Sequence, residues 1–484
     1  MRSLLEKSVR RRMELLEILI ENNEWIKLEM LAEKLDCSKR TLNNDIAIIQ
    51  KELRGNWELY TSRKWGIRLV APETSQLDQL YQFFMEKSTS VQLLLGTFYD
   101  QKLTVEEWAD KLFISPSSLY RLIHRIKSRI QFYGVDLSIN PVAVVGPEQQ
   151  VRYFYMQLFW SSYGPTKWPF RTDDREQIDQ FMKRNEEATD FQFIYPYRIE
   201  RYFWIHVVLE RIRQGFLMGK MEINERILDD EPQLQNGFTE LEHMTGLQIE
   251  RWDRICIKLM QLQGIVFQDK RAIDRSTAFY ERALPEIVAL ADPFLERVIA
   301  GYGRAPENRA QVRWQLLQYF NYCQHFLEID GFIVEKRGYV ARQLRKEFGR
   351  FCRVIEEAAE ASDFGGLRIS IDTIVFLLGT LWQGLIDEHK LEKPPIRTLV
   401  TSQLSVSNTA FLADMIKSRF HSQIEIVEVN ENHLDVSVLM TYDIELIISD
   451  WAIDTGGVIP TIEINYYPND RDWRNIRKMI QHKR

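Results

Sequence analysis

One pattern occurs twice in this chain, 77 residues apart, and it limits the fold more than any other feature. The first copy, KLEMLAEKLDCSKRTLNNDIAIIQKEL, runs from Lys27 to Leu53. Leu28, Leu31, Ala32 and Leu35 fall at i, i+3, i+4 and i+7, and Leu42, Ile46, Ile49 and Leu53 continue at helical spacing. Apolar residues so spaced line one face of a helix, so the stretch predicts two packed helices. Asp36-Cys37 lies between them, and Asp tolerates the left-handed backbone of a tight turn. Ser38 stands where a helix N-cap belongs, and small Ala32 allows a close crossing. A shift of 77 carries Ala32, Lys34, Leu35, Ser38, Leu42, Ile46 and Ile49 onto Ala109, Lys111, Leu112, Ser115, Leu119, Ile123 and Ile126. The second copy adds Pro116 at the first helical position, where a missing N–H costs nothing. A repeated helix-turn-helix therefore opens the chain. Phe113 replaces the turn residue Asp36, and a bulky residue is awkward at positive φ, so the second turn is expected to differ in shape.

Opposite the apolar faces stand Ser38, Lys39, Arg40, Thr41, Asn43 and Asn44 in the first copy. Ser117, Ser118, Tyr120, Arg121, His124 and Arg125 stand there in the second, which has no acid from Phe113 to Gln131. Such side chains bond phosphate oxygens and base edges, so these fourteen positions, completed by Arg63 and Lys64, are the candidate DNA contacts. An ordinary helical hairpin with a solvated polar face is the competing reading. Against it, each copy is followed by a candidate β-hairpin or wing. The first is Trp57–Tyr60 with Gly66–Val70 around the basic tip that holds Arg63 and Lys64; the second is Val135–Ile139 with Val142–Val145.

Charge agrees with a DNA-facing end on an acidic body. Residues 1–150 hold 21 Lys and Arg against 20 Asp and Glu, so the remainder carries −7 of the net −6. Arg10-Arg11-Arg12 is read either as a phosphate contact or as a solvated run. The N-terminal stretch is an amphipathic helix rather than a signal peptide, because Glu14, Glu17 and Glu21 interrupt it. No run of about 18 apolar residues predicts a membrane span. The four cysteines Cys37, Cys256, Cys323 and Cys352 are scattered and read as reduced thiols, Cys37 buried in the first turn. Metal-ligand spacing, a Walker loop and a G-x-S-x-G elbow are absent from the sequence, so neither a metal nor a cofactor is expected.

Further along, residues 73–99 read as a helix joining the two units, with Leu77, Leu80, Tyr81 and Phe84 on one face. From Glu148 to about Lys390 long amphipathic helices alternate with short breaks. They include the aromatic Val151–Tyr163, then Arg198–Phe216, Glu250–Gln261 and Arg275–Ala291. The theme restarts after Ala291-Asp292-Pro293, with Arg313–Leu327, Val340–Ala361 and Ile371–His389. Two related bundles are expected, their helices ending alike at Gln214-Gly215-Phe216 and Asp330-Gly331-Phe332. After Lys393-Pro394-Pro395, strands and helices alternate: Arg397–Thr401, Asn408–Phe420, Ile424–Val429, Ile444–Ser449, Thr461–Ile464 and Arg471–Ile480. That order implies a parallel α/β sheet.

SKRTLNNDI, Ser38–Ile46, resembles the S-x-R-T-[IL]-x-x-D-[IL] recognition helix of sugar-responsive bacterial regulators. With two such units, paired helical modules and a terminal α/β domain, the chain resembles the Mga/AtxA family of virulence regulators of Gram-positive bacteria. The resemblance implies a multidomain, mainly α fold. Its parts would be winged helices at 1–72 and 73–147, phosphotransferase-regulation domains (PRDs) at 148–292 and 293–393, and an EIIB-like α/β domain at 394–484. It further implies a cytoplasmic DNA-binding regulator, an activator and not an enzyme, that binds double-stranded promoter DNA as a homodimer or higher. Phosphotransferase-system phosphocarrier proteins and RNA polymerase are its expected partners, with no membrane among them.

The resemblance nominates His206 for phosphorylation, with His325 and His389 as further candidates. A core role for His206 is the bland alternative, and no Asp precedes it as it does in the family pattern. Arg201 or Arg211 would clamp the phosphoryl group, and Glu210, one turn on, would meet the unmodified imidazole. His243 reads as a loop residue. Active EIIB proteins carry a cysteine after the first strand, where this chain has Thr401-Ser402-Gln403-Leu404-Ser405. A hydroxyl lacks thiolate nucleophilicity at neutral pH, so the domain is expected to serve dimerisation. A phosphocarrier and an RNA-binding antiterminator with paired PRDs are the alternatives. The missing cysteine opposes the first, and the helix-turn-helix start opposes the second.

Overall fold

The computed structural model describes residues 4–22, 24–53, 57–70, 77–165, 167–189, 195, 197–221, 232–261, 270–326, 336–387, 394–429, 431 and 435–483. The chain divides into two compact units, Met1–Leu381 and Trp382–Arg484.

The first unit begins with α1 (Lys7–Asn22), α2 (Leu28–Lys34) and α3 (Lys39–Glu52), followed by an antiparallel hairpin of β1 (Glu58–Ser62) and β2 (Gly66–Val70). Buried Leu31, Ala32, Leu42, Ile46 and Ile49 join α2 to α3, and buried Leu15, Leu16 and Leu19 of α1 complete this core. A salt-bridge clamp missed by the sequence reading pins α1 to α3. Arg11 reaches Asp45 at 2.6 Å, Arg12 approaches the same carboxylate at 3.5 Å, and Asp45 is almost fully buried. Arg11 and Arg12 therefore face inward, which corrects both readings for these two, while Arg10 stays part-exposed beside Glu14 at 3.6 Å. Cys37 is only half-buried, not enclosed as expected.

The joining segment is two helices rather than one: α4 (Leu77–Lys87) and α5 (Thr89–Tyr99). Buried Ser88 breaks it by capping Val91 N–H and donating to Glu6 at 2.7 Å. Residues 73–76 of that expected helix lie outside the described residues. Then α6 (Val105–Lys111) and α7 (Pro116–Ile130) repeat the first hairpin, and β3 (Asp136–Leu137) pairs antiparallel with β4 (Val144–Val145) as a much shorter wing than the first.

Helices α8 (Glu148–Tyr163), α9 (Thr172–Thr189), α10 (Tyr197–Arg213), α11 (Pro232–Thr245) and α12 (Arg251–Gln261) follow. Most of α8 and α10 is buried on every side, which makes them the central pair. The sequence reading passed over α9 and α11 because polar residues dominate them, and His243 lies in the last turn of α11, not in a loop.

The expected restart at Pro293 is absent. Helix α13 (Lys270–Ala283) ends at Leu284, and α14 (Pro285–Tyr302) runs straight through Pro293. Its buried face, Ile287, Ala291, Phe294, Leu295, Val298 and Tyr302, keeps helical spacing across the proline, so packing offsets the lost backbone bond. α13 packs against α15 (Arg309–His325) through Trp314 Nε1–H to Ser276 at 3.0 Å and Arg313 to Glu281 at 2.9 Å. It thus belongs with the helices that follow it. Instead of one helix over 340–361 there are two, α16 (Lys336–Glu347) and α17 (Gly349–Glu360), broken at Phe348, before α18 (Ile371–Leu381). The Asp330-Gly331-Phe332 helix end lies outside the described residues.

The second unit holds β5 (Ile396–Thr401), α19 (Val406–Phe420), β6 (Ile424–Ile426), α20 (Val436–Thr441), β7 (Leu446–Ser449), β8 (Thr461–Glu463) and α21 (Asp470–Lys483). All four strands are parallel, in the order β6-β5-β7-β8. Alternation along β7 sends Leu446 and Ile448 to a core with Leu412, Ile416, Trp473 and Ile476, and Ile447 to the other face with Leu399 and Leu439. The expected alternating order is therefore present, with α20 as an unforeseen addition.

Among the described residues, no helix is long and apolar enough to cross a membrane.

Candidate nucleic-acid interface

The two helix-turn-helix units are built by matching backbone bonds. In the first, Cys37 N–H donates to the Ala32 carbonyl at 3.0 Å; in the second, Ile114 N–H donates to Ala109 at 3.0 Å. Asp36 has φ +45° and Phe113 φ +54°, so the second turn has the same shape as the first, contrary to expectation. Phe113 tolerates the left-handed backbone with its ring 94% exposed, free of neighbours it could strike. Ser38 caps α3 by accepting from Thr41 N–H at 3.1 Å, and Ser115 caps α7 by accepting from Ser118 N–H at 3.2 Å. Thr104 and Glu107 form a capping box that starts α6.

Each second helix then presents one exposed stripe. On α3 it is Arg40, Asn43, Asn44, Ala47 and Lys51; on α7 it is Ser117, Tyr120, Arg121, His124 and Ser128. The two stripes coincide under the 77-residue shift. Lys39 is also exposed, but its ammonium lies 2.6 Å from Glu29. The Thr41 and Ser118 hydroxyls bond the capping serines, at 2.8 and 2.9 Å. Arg125 is turned aside: it donates to Ser90 Oγ at 3.1 Å and sits 3.8 Å from Glu6. Ala47, Lys51 and Ser128 complete the stripe, and the sequence reading missed them. The repeat itself carries that signal, because Ala47 falls on His124. Arg63 and Lys64 are exposed at the first wing tip, whereas the second tip holds Ser138, Asn140 and Pro141 and no cation.

Residues 6–63 match the family described as "M protein trans-acting positive regulator (MGA) HTH domain", and residues 73–159 match "Mga helix-turn-helix domain". Both helix-turn-helix units thus match the Mga family. The chain is similar along its length to a "putative trans-acting regulator" of Streptococcus pneumoniae serotype 4, at 24% identity over 96% of this chain and 94% of that protein. The capsule synthesis positive regulator AcpB of Bacillus anthracis is 21% identical over 98% of each chain. The anthrax toxin expression trans-acting positive regulator of the same organism is 20% identical over 98% of this chain and 99% of that one.

His206 lies in α10, almost fully buried, its ring stacked 3.7 Å from Phe170 with Trp168 edge-on at 5.8 Å. Its acidic neighbour is Asp174, 3.3 Å from Nδ1, not Glu210. Glu210 instead holds Arg213 at 2.7 Å and accepts from Gln214 at 3.1 Å. The nearby cation is Arg213, 3.4 Å from Asp174. Neither expected arginine is placed at the imidazole: Arg211 forks onto Glu148 at 2.8 and 2.5 Å, and Arg201 is buried beside Glu200. Burial lowers the His206 pKa against the pull of Asp174, and the imidazole beside it holds Asp174 below the usual carboxylate range.

From this cluster two lines of contact reach the second winged helix. Gln214 donates to the Phe98 carbonyl at 2.9 Å and accepts from Gln101 at 2.7 Å. Phe170 meets Phe159 at 4.8 Å between ring centres, and Phe159 meets Phe98 at 5.1 Å.

His325 ends α15. Burial pulls its pKa down to about 4, and among the described residues its Nε2 has no hydrogen-bond partner. His389 lies outside the described residues. At the end of β5, Ser402 Oγ donates to Asp450 at 2.6 Å and Gln403 N–H to the same carboxylate at 2.9 Å. Burial raises the Cys256 and Cys352 thiols to about 11, so neither supplies a thiolate at neutral pH.

Proposed function

We propose that the chain is a positive regulator of transcription that binds promoter DNA through both winged helices. The carrying observation is the pair of exposed stripes, Arg40-Asn43-Asn44-Ala47-Lys51 and Ser117-Tyr120-Arg121-His124-Ser128, on equivalent faces of two equally capped helices. A recognition helix lies in the major groove and reads base edges from such a face, while basic wing residues hold flanking phosphate. Arg40, Asn43, Asn44, Arg121 and His124 are the base-reading candidates. Lys39, Arg63 and Lys64 would hold phosphate, and Ser38, Thr41, Ser117 and Ser118 would add contacts beside their caps. Arg125 would orient α7 from behind. The names of the relatives support regulation in the positive sense and not an enzymatic role.

The helical bundles would be paired PRDs, and the 394–484 domain would be EIIB-like. The two PRD bundles divide between α12 and α13 rather than at residue 292. Phosphocarrier proteins of the phosphotransferase system would phosphorylate His206 once Trp168 and Phe170 move off the ring. The new charge would meet Asp174 and repel it, freeing Arg213 to pair with the phosphoryl group and loosening the Gln214 contact to Phe98. His325 and His389 remain secondary phosphorylation candidates. The 394–484 domain would join two copies of the chain in the cytoplasm, with RNA polymerase recruited at the promoter. Ser402, bonded to Asp450, is poorly suited to carry a phosphoryl group.

Mapping the chromosomal sites occupied by the chain, with transcripts measured alongside, tests this reading. Occupied promoters whose transcripts fall when the chain is removed are the expected result; occupancy no different from that of an unrelated protein would overturn it.

A further inference from the structure

The tip of the first wing carries a residue that the DNA-binding reading did not use. Trp65 is 57% exposed at the turn between two strands that bury Leu59, Ile67 and Leu69; Tyr60 of β1 is also exposed, its hydroxyl on Glu58 of the same strand. Exposed Arg63 and Lys64 precede it, and the Lys64 ammonium lies 4.9 Å from the indole ring centre.

The tip is shaped before any partner arrives. Ser62 Oγ accepts from Lys64 N–H at 3.3 Å and from Trp65 N–H at 3.2 Å, and the Ser62–Gly66 pair closes the hairpin. Gly66 has φ +99°, and a Cβ there would lie 2.0 Å from the Ile26 carbonyl oxygen, so only glycine fits. Ile26 and Ile67 exchange backbone bonds at 2.9 and 2.8 Å, which ties β2 to the segment before α2. Gln50 of α3 donates to the Leu59 carbonyl at 3.0 Å, which ties β1 to the recognition helix. The hairpin that carries the indole is thereby held at a fixed position relative to the α3 stripe. The Ser138–Pro141 tip of the second wing has neither an aromatic nor a cation.

We infer that Trp65 is a minor-groove wedge. The indole seats against a base step beside the major-groove site of α3, with Arg63 and Lys64 on the flanking phosphates. This rests on the DNA-binding reading above and deepens it: the first unit bends the duplex and the second does not. Three facts favour DNA over a protein partner. The tip is cationic, its aromatic lies between Lys64 and Gly66 with the Lys64 ammonium over its ring, and the hairpin is fixed to a helix whose polar stripe faces out. Apolar wedges work by partly unstacking a step, which is cheapest at pyrimidine–purine steps such as TA and CA. The selected sites should therefore carry such a step flanking the bases read by α3.

The test uses the full chain as wild type, W65F and W65A. The probe is a set of end-labelled duplexes recovered by the wild-type chain from a random-sequence duplex pool. Affinity is read by fluorescence anisotropy and bending by energy transfer between the duplex ends. Trp65 supports no core, so both variants should melt like the wild type. W65A should bind about ten-fold more weakly, the scale of one lost base–aromatic stack, and should leave the duplex straighter. W65F should recover most of both. W65A with wild-type affinity and bend overturns the inference, as does W65F no better than W65A. A wild-type chain that recovers no duplex overturns it together with the DNA-binding reading, so the two failures are distinguishable.

Discussion

Asp45 is the residue whose removal should most damage the first winged helix. It lies on the inner side of α3 and takes Arg11 at 2.6 Å and Arg12 at 3.5 Å, with its own side chain 4% exposed. Breaking a buried pair by deleting one partner costs about 3–5 kcal/mol, because the other charge is left unpaired. Here the two arginines retain 12% and 13% of their exposure and can turn towards water. Asp45→Ala should therefore cost about 3 kcal/mol, at the low end of that range. Asp45→Asn, which keeps an acceptor oxygen, should cost roughly half as much. A chain of several domains does not unfold in one step, so a global melt would blur the effect. Hydrogen exchange read by peptide mass resolves it. Amides of α1 and α3 should open roughly a hundred-fold more often in Asp45→Ala, since each 1.4 kcal/mol is about a factor of ten. Those of α10 should be unchanged. Unaltered protection in α1 and α3 would refute the clamp, and an equal loss throughout the chain would refute its local character.

Three further outcomes follow. Gly96→Ala would place a Cβ 2.3 Å from the fully buried Trp108 ring, so the second winged helix should lose about 1–3 kcal/mol, read as faster exchange in α5 and α6. His325 has a folded pKa of about 4 against an ordinary 6.5, so the unfolded chain binds the extra proton first. The stability it contributes is complete above pH 6.5 and is lost as pH falls towards 4, up to about 3 kcal/mol. Denaturant midpoints at neutral pH and near pH 5 should show this loss in the wild type and a smaller one in His325→Leu. His206→Asp should change promoter output and, with a second carboxylate beside buried Asp174, loosen α9 from α10, whereas His206→Ala should remove only the response to sugar supply. Melts beside reporter assays check both, and a large destabilisation by Ala with no selective regulatory change would mark His206 as core.

The two helix-turn-helix units were legible because their signals are local. Ser38 and Ser115 cap, Pro116 opens a helix, and the apolar spacing repeats after 77 residues. The parallel sheet was legible for the same reason. Features set by distant partners were not. Ser88 breaks a helix because Glu6 is there to receive its hydroxyl, and the arginine run turns inward because Asp45 draws it. Pro293 misled because a proline usually interrupts a helix, whereas here the buried residues on both sides hold it in line. Spacing along α10 pointed His206 at Glu210, but Asp174, supplied by another helix, faces it instead. Phe113 shows that a local rule yields when the side chain has open solvent around it.

The central claim is that the two matched stripes read DNA. Its most direct test is the equilibrium affinity of the full chain for its selected duplex, compared with a variant carrying Ala at Arg40, Asn43, Asn44 and Arg121. These side chains are exposed, so the variant should fold as the wild type does. Each base-reading contact is worth about 1–3 kcal/mol, so the loss should exceed a hundred-fold for the selected duplex and be smaller for an unrelated one. A folded variant that binds the selected duplex as tightly as the wild type would contradict the claim.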